Sequence, residues 1–201
     1  MKQANAKKRL IAVAVMLLCI LVSFPLGVRT ALARGDDAAM EAFYDDGVYD
    51  VLTADAELAA NILRSSKVIV QDMKDYSDAG KLQLAQQELE TAYRRYESSL
   101  AKKNTGRDTV TEMVGAYNAF HRAVLQWLDA ADAAIDAMGG EYGTYHTFAE
   151  KFRTNHNFLL YSDYNAEAGA YNLYFEEPVV KALGGLSFMG ELPLLVEDAA
   201  E

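Results

Sequence analysis

Residues 107–140 read RDTVTEMVGAYNAFHRAVLQWLDAADAAIDAMGG, and this stretch decides the fold class. Its apolar residues recur at steps of three and four, which is the spacing of one face of an α-helix. Asp108 or Thr109 can cap the start, and Gly139-Gly140 end the helix because glycine accepts a left-handed turn. The predicted stripe consists of Val110, Met113, Val114, Tyr117, Val124, Leu125, Leu128, Ala131 and Ile135.

Helical periodicity continues on both sides of this stretch. The only β-branched cluster, KVIVQ at residues 67–71, itself lies within a helical period. Periodic segments separated by short breaks predict an all-α fold, in which an N-terminal transmembrane helix is followed by an antiparallel three- to four-helix bundle. The further helices are expected from Gly35 to a break at Gly47, from a cap at Thr53 or Asp55 to about Tyr76, from Lys81 to Leu100, and from about Thr144 to Glu176.

The last predicted helix carries a Tyr-Asn pair twice, at Tyr164-Asn165 and Tyr171-Asn172. A step of seven residues returns to nearly the same helix face, so the two tyrosines share one stripe and the two asparagines share its neighbour. A buried amide needs a hydrogen-bond partner, so the asparagines are expected to set the register between helices. Pro178 ends the helix because proline cannot donate to the preceding turn.

These residues resemble the LemA family of bacterial proteins. The parallels are the two Tyr-Asn pairs, Phe175 and Pro178 at the helix end, and Gly185 and Phe188 in the stretch that follows; AELAANILRSSKVIVQDMKDY is similar to the family's first bundle helix. The resemblance implies a membrane-anchored helical bundle and gives these residues a structural role. It implies no catalytic chemistry.

The N-terminal segment predicts a membrane anchor. Residues 10–28 are uncharged and would span roughly 28 Å as a helix, close to the hydrocarbon thickness of a bilayer. Four basic residues precede this run and two follow it, which predicts a cytoplasmic N-terminus and an extracytoplasmic domain in a single-pass cell-membrane protein. The alternative is a signal peptide cleaved at Ala33, because Ala31-Leu32-Ala33 fits the small-x-small pattern; the protein would then be secreted.

The predicted organisation has five parts, and their charge is uneven. Residues 1–33 carry five basic and no acidic residues, so the 14 basic and 29 acidic residues that remain give the rest of the chain a net charge of −15. Such a domain repels nucleic acid. The parts are a basic cytoplasmic N-terminus (1–9), the anchor or signal segment (10–28), a juxtamembrane helix and linker (29–52), the helical bundle (53–177) and an apolar C-terminal tail (178–201).

The tail after Pro178 is apolar and holds Gly184-Gly185. We expect it to pack across the end of the bundle; the alternative is a docking segment for a partner.

Motifs for chemistry are not apparent in the sequence. His121, His146 and His156 match no metal-binding spacing and are read as exposed or capping residues. Asp129, Asp132 and Asp136 share one helix face, where carboxylates could attract a divalent cation, although a solvated face is the favoured interpretation. We therefore expect no catalytic residue, no metal site and no cofactor.

The sequence as a whole favours a non-catalytic interaction or structural module of the bacterial cell envelope. Its expected partners are the lipid bilayer, through residues 10–28, and a protein that the sequence does not name. The alternative function is an exported metal-binding protein or enzyme that uses the acidic helix face.

Overall fold

The computed structural model describes residues 2–102, 105–140, 142–178, 180–181 and 189–196; of residues 2–11 it describes the backbone only. These residues form six α-helices and no strand, which confirms the expected helical class. The helices are α1 (Lys2–Asp45), α2 (Val48–Asp72), α3 (Ala79–Leu100), α4 (Arg107–Met138), α5 (Gly143–Leu160) and α6 (Asp163–Glu176).

Helix α1 has two halves with opposite environments. Its described apolar side chains from Val13 to Leu26 are about half exposed or more, whereas Leu32, Ala39 and Phe43 are buried against the other helices. The helix continues through Pro25 without a break. From Ala12 onward it is long and apolar enough to cross a membrane, a test of length and composition that a signal sequence near the N-terminus also passes.

Helix α2 begins at Val48, five residues before the first cap expected from the sequence. Gly47 adopts φ 80°, so the chain reverses there and the new helix starts at the next residue. Thr53 and Asp55 consequently lie inside the helix, and α2 ends at Asp72 rather than near Tyr76. The first turn is held by burial of Val48 and Leu52, which replaces side-chain capping.

The prediction of a single helix from Thr144 to Glu176 is wrong. The chain forms two helices, α5 and α6, with a break at Tyr161-Ser162. Ser162 is the N-cap of α6, and its side-chain oxygen accepts a hydrogen bond from the Asn165 amide. Ser162 is buried while Tyr161 is 82% exposed, so the corner turns inward at the serine. The end of α6 at Glu176 agrees with the expected effect of Pro178.

The helices pack in a bundle-like arrangement around one apolar core. Helix α4 packs on α3, α2 contacts both α3 and α5, and the second half of α1 packs on α6. Rings from three helices meet at the centre: Tyr96 stacks on Phe120 at 5.1 Å between centroids, and Phe152 meets Phe120 edge-on at 5.9 Å. The described part of the C-terminal tail, residues 189–196, lies against α4 and α6.

Candidate functional site

The two Tyr-Asn pairs of α6 bind the main chain of the C-terminal tail. We call residues 189–196 the tail segment, and we call the set Arg107, Asn118, Tyr164, Asn165, Tyr171 and Asn172 the tail groove. The asparagines were expected to set the register between helices. Their partners in the tail groove are instead backbone atoms of the tail segment.

The Asn172 side chain makes two hydrogen bonds to the main chain of one tail residue, Leu192. Its Nδ2 donates to the Leu192 carbonyl at 2.7 Å, and its Oδ1 accepts from the Leu192 amide at 2.7 Å. Asn165 repeats this pairing with Leu195: its Nδ2 donates to the carbonyl at 2.9 Å and its Oδ1 accepts from the amide at 2.8 Å. Each asparagine therefore satisfies both polar main-chain groups of one residue, as a neighbouring strand would.

Asn165 also closes the corner between α5 and α6. Its Nδ2 lies 3.1 Å from the Leu159 carbonyl and 3.0 Å from the Leu160 carbonyl. These carbonyls are in the last turn of α5, where no intrahelical donor remains. One side chain thus joins the end of α5, the start of α6 and the tail segment.

The two tyrosines of the repeat also bind main-chain groups of the tail segment that are three residues apart. The Tyr164 hydroxyl donates to the Pro193 carbonyl at 2.8 Å, and the Tyr171 hydroxyl donates to the Gly190 carbonyl at 3.1 Å. Burial raises the pKa of both tyrosines, so both hydroxyls keep the proton that they donate.

The spacing of the repeat matches the spacing of an extended chain. Seven residues of α-helix rise about 10.5 Å, and three residues of extended chain span about 10 Å. Seven residues separate the two asparagines and the two tyrosines on α6, and three residues separate their respective partners on the tail segment. The seven-residue step therefore presents equivalent groups to every third residue of the tail segment, which runs in the opposite direction to α6.

Helix α4 forms the other wall of the tail groove. Asn118 Nδ2 donates to the Leu194 carbonyl at 2.7 Å, and Asn118 Oδ1 accepts from the Val196 amide at 2.8 Å. Eleven residues earlier, the Arg107 guanidinium donates to the Gly190 carbonyl. Sequence reasoning missed both residues, although Tyr117-Asn118 is a third Tyr-Asn pair and was a signal for Asn118.

Arg107 is itself held in place from two sides. Its guanidinium forms an ion pair with Asp36 of α1 and donates to the Tyr171 hydroxyl at 3.1 Å. It also lies over the Tyr171 ring, 5.1 Å from the centroid. Gly35 allows this arrangement, because a Cβ there would lie 3.0 Å from the Tyr171 ring.

The side chains of the tail segment supply an apolar contact. Leu192, Leu195 and Val196 are buried, and Pro193 and Leu194 are partly buried. Val196 has φ 59°, which is the left-handed region and unfavourable for a β-branched residue. A cavity of about 530 Å³ adjoins this end of the tail segment and is lined by Tyr161, Asn165 and Leu194 among others.

The remaining residues of the expected motif have different positions. Phe175 packs edge-on against Tyr171, with 5.2 Å between ring centroids. Pro178 is exposed just beyond α6. Gly185 and Phe188 lie outside the described residues.

A second polar group, which we call the buried polar cluster, lies in the core and consists of Asp55, Tyr117 and Asn155. The Tyr117 hydroxyl donates to Asp55 Oδ2 at 2.7 Å, and Asn155 Nδ2 donates to Asp55 Oδ1 at 2.5 Å. Asp55 was expected as a helix cap and is instead fully buried. Burial raises its pKa to about 6, and the two hydrogen bonds oppose that rise. Asp55 lies at steps of three and four from Leu52, Ala59 and Ile62, on the apolar face of α2. That spacing could have predicted its burial from the sequence.

The histidines pair next to this cluster. His121 is buried, contrary to the expected exposed position, and its ring stacks on His156 with 2.9 Å between Nε2 and Nδ1. Burial, and to a smaller extent the neighbouring His156, lowers the pKa of His121 to about 4. His146 is exposed, as expected.

The middle residue of the acidic face of α4 is engaged by protein groups, while Asp129 and Asp136 are exposed. Asp132 accepts a hydrogen bond from the Tyr145 hydroxyl at 2.8 Å and pairs with Arg153 at 3.4 Å. Within the described ranges, no group of three or more His, Cys, Asp or Glu side chains is placed to hold a metal ion.

Comparisons with protein-family models, with curated proteins and with solved structures return no match for this chain.

Proposed function

We propose that this chain is a LemA-like membrane protein of the bacterial cell envelope, which displays a non-catalytic interaction module made of an antiparallel helical bundle. Residues 10–28 cross the bilayer, residues 29–52 connect the anchor to the bundle of residues 53–177, and residues 178–201 form the tail. The N-terminus is cytoplasmic because most of the flanking basic residues precede the span.

The observation that carries the proposal is the tail groove. Its three asparagines and two tyrosines bind main-chain groups of a non-helical segment that turns at Leu195-Val196. Main-chain hydrogen bonds also give affinity in peptide recognition, although here the groove supplies them from side chains. The groups in contact with the tail segment are amides, hydroxyls and one guanidinium. Such groups bind and position a chain.

The continuity of α1 supports the link between anchor and module. The exposed apolar half and the half that is buried at Leu32 and Phe43 belong to one helix. A helix without a flexible joint holds the bundle at a set distance from the bilayer. The tail groove is then presented at a constant height above the membrane surface.

The location is tested with a C-terminally tagged chain in intact bacteria. We expect a full-length band in the membrane fraction that added protease degrades before lysis. A shorter band in the medium, starting at Arg34, would show the secreted form and contradict the anchor. A full-length band protected until lysis would reverse the orientation.

The interaction role is tested by photo-crosslinking in the same cells. Tyr161 is 82% exposed and lines the cavity beside the tail segment, so a photoreactive amino acid placed there should give a discrete adduct of higher mass. Leu84 on α3 is 57% exposed and serves as the matched control without an adduct. Equal labelling at both positions, or none at Tyr161, would contradict an interaction module that works through the tail groove.

A further inference from the structure

We infer that the tail groove is an exchangeable peptide-binding site whose ligand is an extended apolar segment of another protein, which replaces the tail segment. This inference rests on the proposed function and gives it a partner class. The tail segment is then a competitor, attached to the same chain, that covers the groove until the ligand arrives.

The tail groove binds the main chain of the tail segment rather than its side chains. Every hydrogen bond described above between the groove and the tail segment ends on a carbonyl or an amide of the tail, and none ends on a tail side chain. Main-chain groups are common to all residues, so these contacts do not require the sequence of the tail itself. Another extended segment can make the same set.

The buried side chains of the tail segment define the chemistry of the ligand. Leu192 and Leu195 are three residues apart, and both side chains are buried. Their main-chain groups are the ones that Asn172 and Asn165 of α6 bind. Pro193 lies between them and offers only its carbonyl, which Tyr164 binds. A ligand therefore needs apolar residues three apart and an extended backbone, and it accepts proline where no amide is used.

The tail segment has an unfavourable backbone conformation at one end. Val196, whose amide donates to Asn118, adopts φ 59° where the described tail segment ends. The left-handed conformation is unfavourable for residues with a Cβ and most unfavourable for β-branched ones. A segment with asparagine or glycine at this position avoids that conformational penalty.

Charge argues that the ligand comes from a different protein. Beyond residue 33 the 14 basic and 29 acidic residues give each copy a net charge of −15. Two such domains repel one another at close approach. A neutral or basic partner carries no such penalty.

The experiment uses the full chain in detergent micelles, with a protease recognition sequence inserted between Gly184 and Gly185. The probe is a fluorescent synthetic peptide with the sequence of residues 189–196, MGELPLLV, and its binding is followed by fluorescence anisotropy. In the uncut chain the attached tail competes at an effective concentration of about 1 mM, so binding is weak. Cutting should strengthen the apparent affinity by at least about tenfold, because the released tail dilutes away.

A second variant covers the case in which cutting disturbs the fold. Leu192→Asp together with Leu195→Asp in the uncut chain removes the apolar contact of the attached tail and leaves the groove intact. This variant should bind the peptide as the cut chain does. Unchanged, weak binding by both the cut chain and this variant would overturn the inference.

Matched probes test whether the main chain is what the groove recognises. N-methylation of the peptide at the Leu195 equivalent removes the donor to Asn165 and should weaken binding about tenfold. N-methylation at the Leu194 equivalent is the control. Asn165→Leu removes both hydrogen bonds to the Leu195 equivalent and should weaken binding more, about 30-fold, whereas Asn157→Leu, at an exposed position of α5, should not weaken it. Equal effects of the two peptide methylations would overturn main-chain recognition.

Two further outcomes separate this inference from the proposed function. A dimer of the uncut chain that requires Asn172, measured by light scattering, would assign the groove to a second copy's tail and overturn the ligand class. If the peptide never replaces the tail segment, the tail groove is a permanent intramolecular contact and the inference is overturned. In both cases the membrane fractionation would still report on the anchor independently, and the photo-crosslinking would still report on an envelope partner.

Discussion

The buried polar cluster and the tail groove both place polar side chains between helices, but they bind different kinds of group. In the cluster, Asp55 pairs with the side chains of Tyr117 and Asn155, and it is fully buried. In the groove, Asn165 and Asn172 pair with main-chain atoms and remain partly exposed. The cluster therefore needs particular residues on three helices, whereas the groove needs only an extended backbone.

The difference teaches which polar region serves the fold and which can serve a partner. A buried carboxylate with two specific donors favours one arrangement of α2, α4 and α5, because any other leaves a charge or a donor unpaired. An open groove that reads the main chain tolerates a change of occupant. The two regions should consequently respond differently to pH and to substitution.

The largest expected effect is on the pH dependence of stability through Asp55. Its folded-state pKa of about 6 exceeds the ordinary value of 3.8, so the folded protein retains this proton up to higher pH than the unfolded chain does. This group therefore lowers the free energy of unfolding by about 3 kcal/mol over its whole titration range, of which about 2 kcal/mol falls between pH 4 and pH 6. Asp55→Asn removes the effect.

Urea unfolding of the detergent-solubilised chain at pH 4, 5, 6 and 7 provides the measurement. The free energy of unfolding of Asp55→Asn minus that of the original protein should be about 2 kcal/mol larger at pH 7 than at pH 4. Asp50→Asn, at an exposed position of the same helix, is the control. A pH-independent difference would mean that Asp55 is not buried as the structure shows.

His121 should give an effect of similar size and opposite sign. Its folded-state pKa of about 4 lies below the ordinary value of 6.5, so the unfolded chain takes up the proton first and stability falls as pH drops through this range. His121→Phe, which keeps a ring against Phe152, should lose this fall of about 3 kcal/mol. His146→Phe, at an exposed position, is the control and should keep the fall in stability at low pH. Urea unfolding at the same four pH values provides the measurement. If His121→Phe gained stability relative to the original protein as pH rises, as Asp55→Asn should, a buried neutral His121 would be contradicted.

The groove should respond locally and without a pH term, because amides and tyrosines do not titrate in this range. Asn165→Leu leaves the Leu195 amide and carbonyl without partners, at a cost of about 2 kcal/mol. Hydrogen exchange at the Leu195 amide should accelerate about 30-fold while the Phe120 amide in the core stays protected. Asn157→Leu is the control, and acceleration spread evenly over α4 would show that the tail segment is part of the global folding unit.

The smallest expected effect concerns a single hydroxyl. Tyr164→Phe removes the donor to the Pro193 carbonyl and keeps the buried ring, so the free energy of tail opening should fall by about 1 kcal/mol. Tyr161→Phe, where the side chain is 82% exposed, should change nothing. Exchange at the Leu192 amide reports both variants, and equal results would assign no role to the Tyr164 hydroxyl.

Sequence reasoning recovered the helical class but not the detail of its interruptions. The stripe of α4 was readable because its apolar residues follow the helical period. The break at Tyr161-Ser162 was missed because the period of apolar residues continues across it, and Ser162 acts as a cap only through the corner that Asn165 closes. Asp55 was taken for a cap because aspartate is common at helix starts, while its phase with Leu52 and Ala59 was overlooked.

The sequence by itself determined the α-helical class, the apolar N-terminal run, the end of α6 before Pro178 and the shared face of the Tyr-Asn repeat. These follow from local rules, because side-chain period, backbone restriction and composition act within a few residues. Only the tertiary structure decided what Asn118, Asn165 and Asn172 bind. Their partners are main-chain atoms of the tail segment, which every residue carries and which leave no signature in the sequence; only the fold brings them within hydrogen-bond distance.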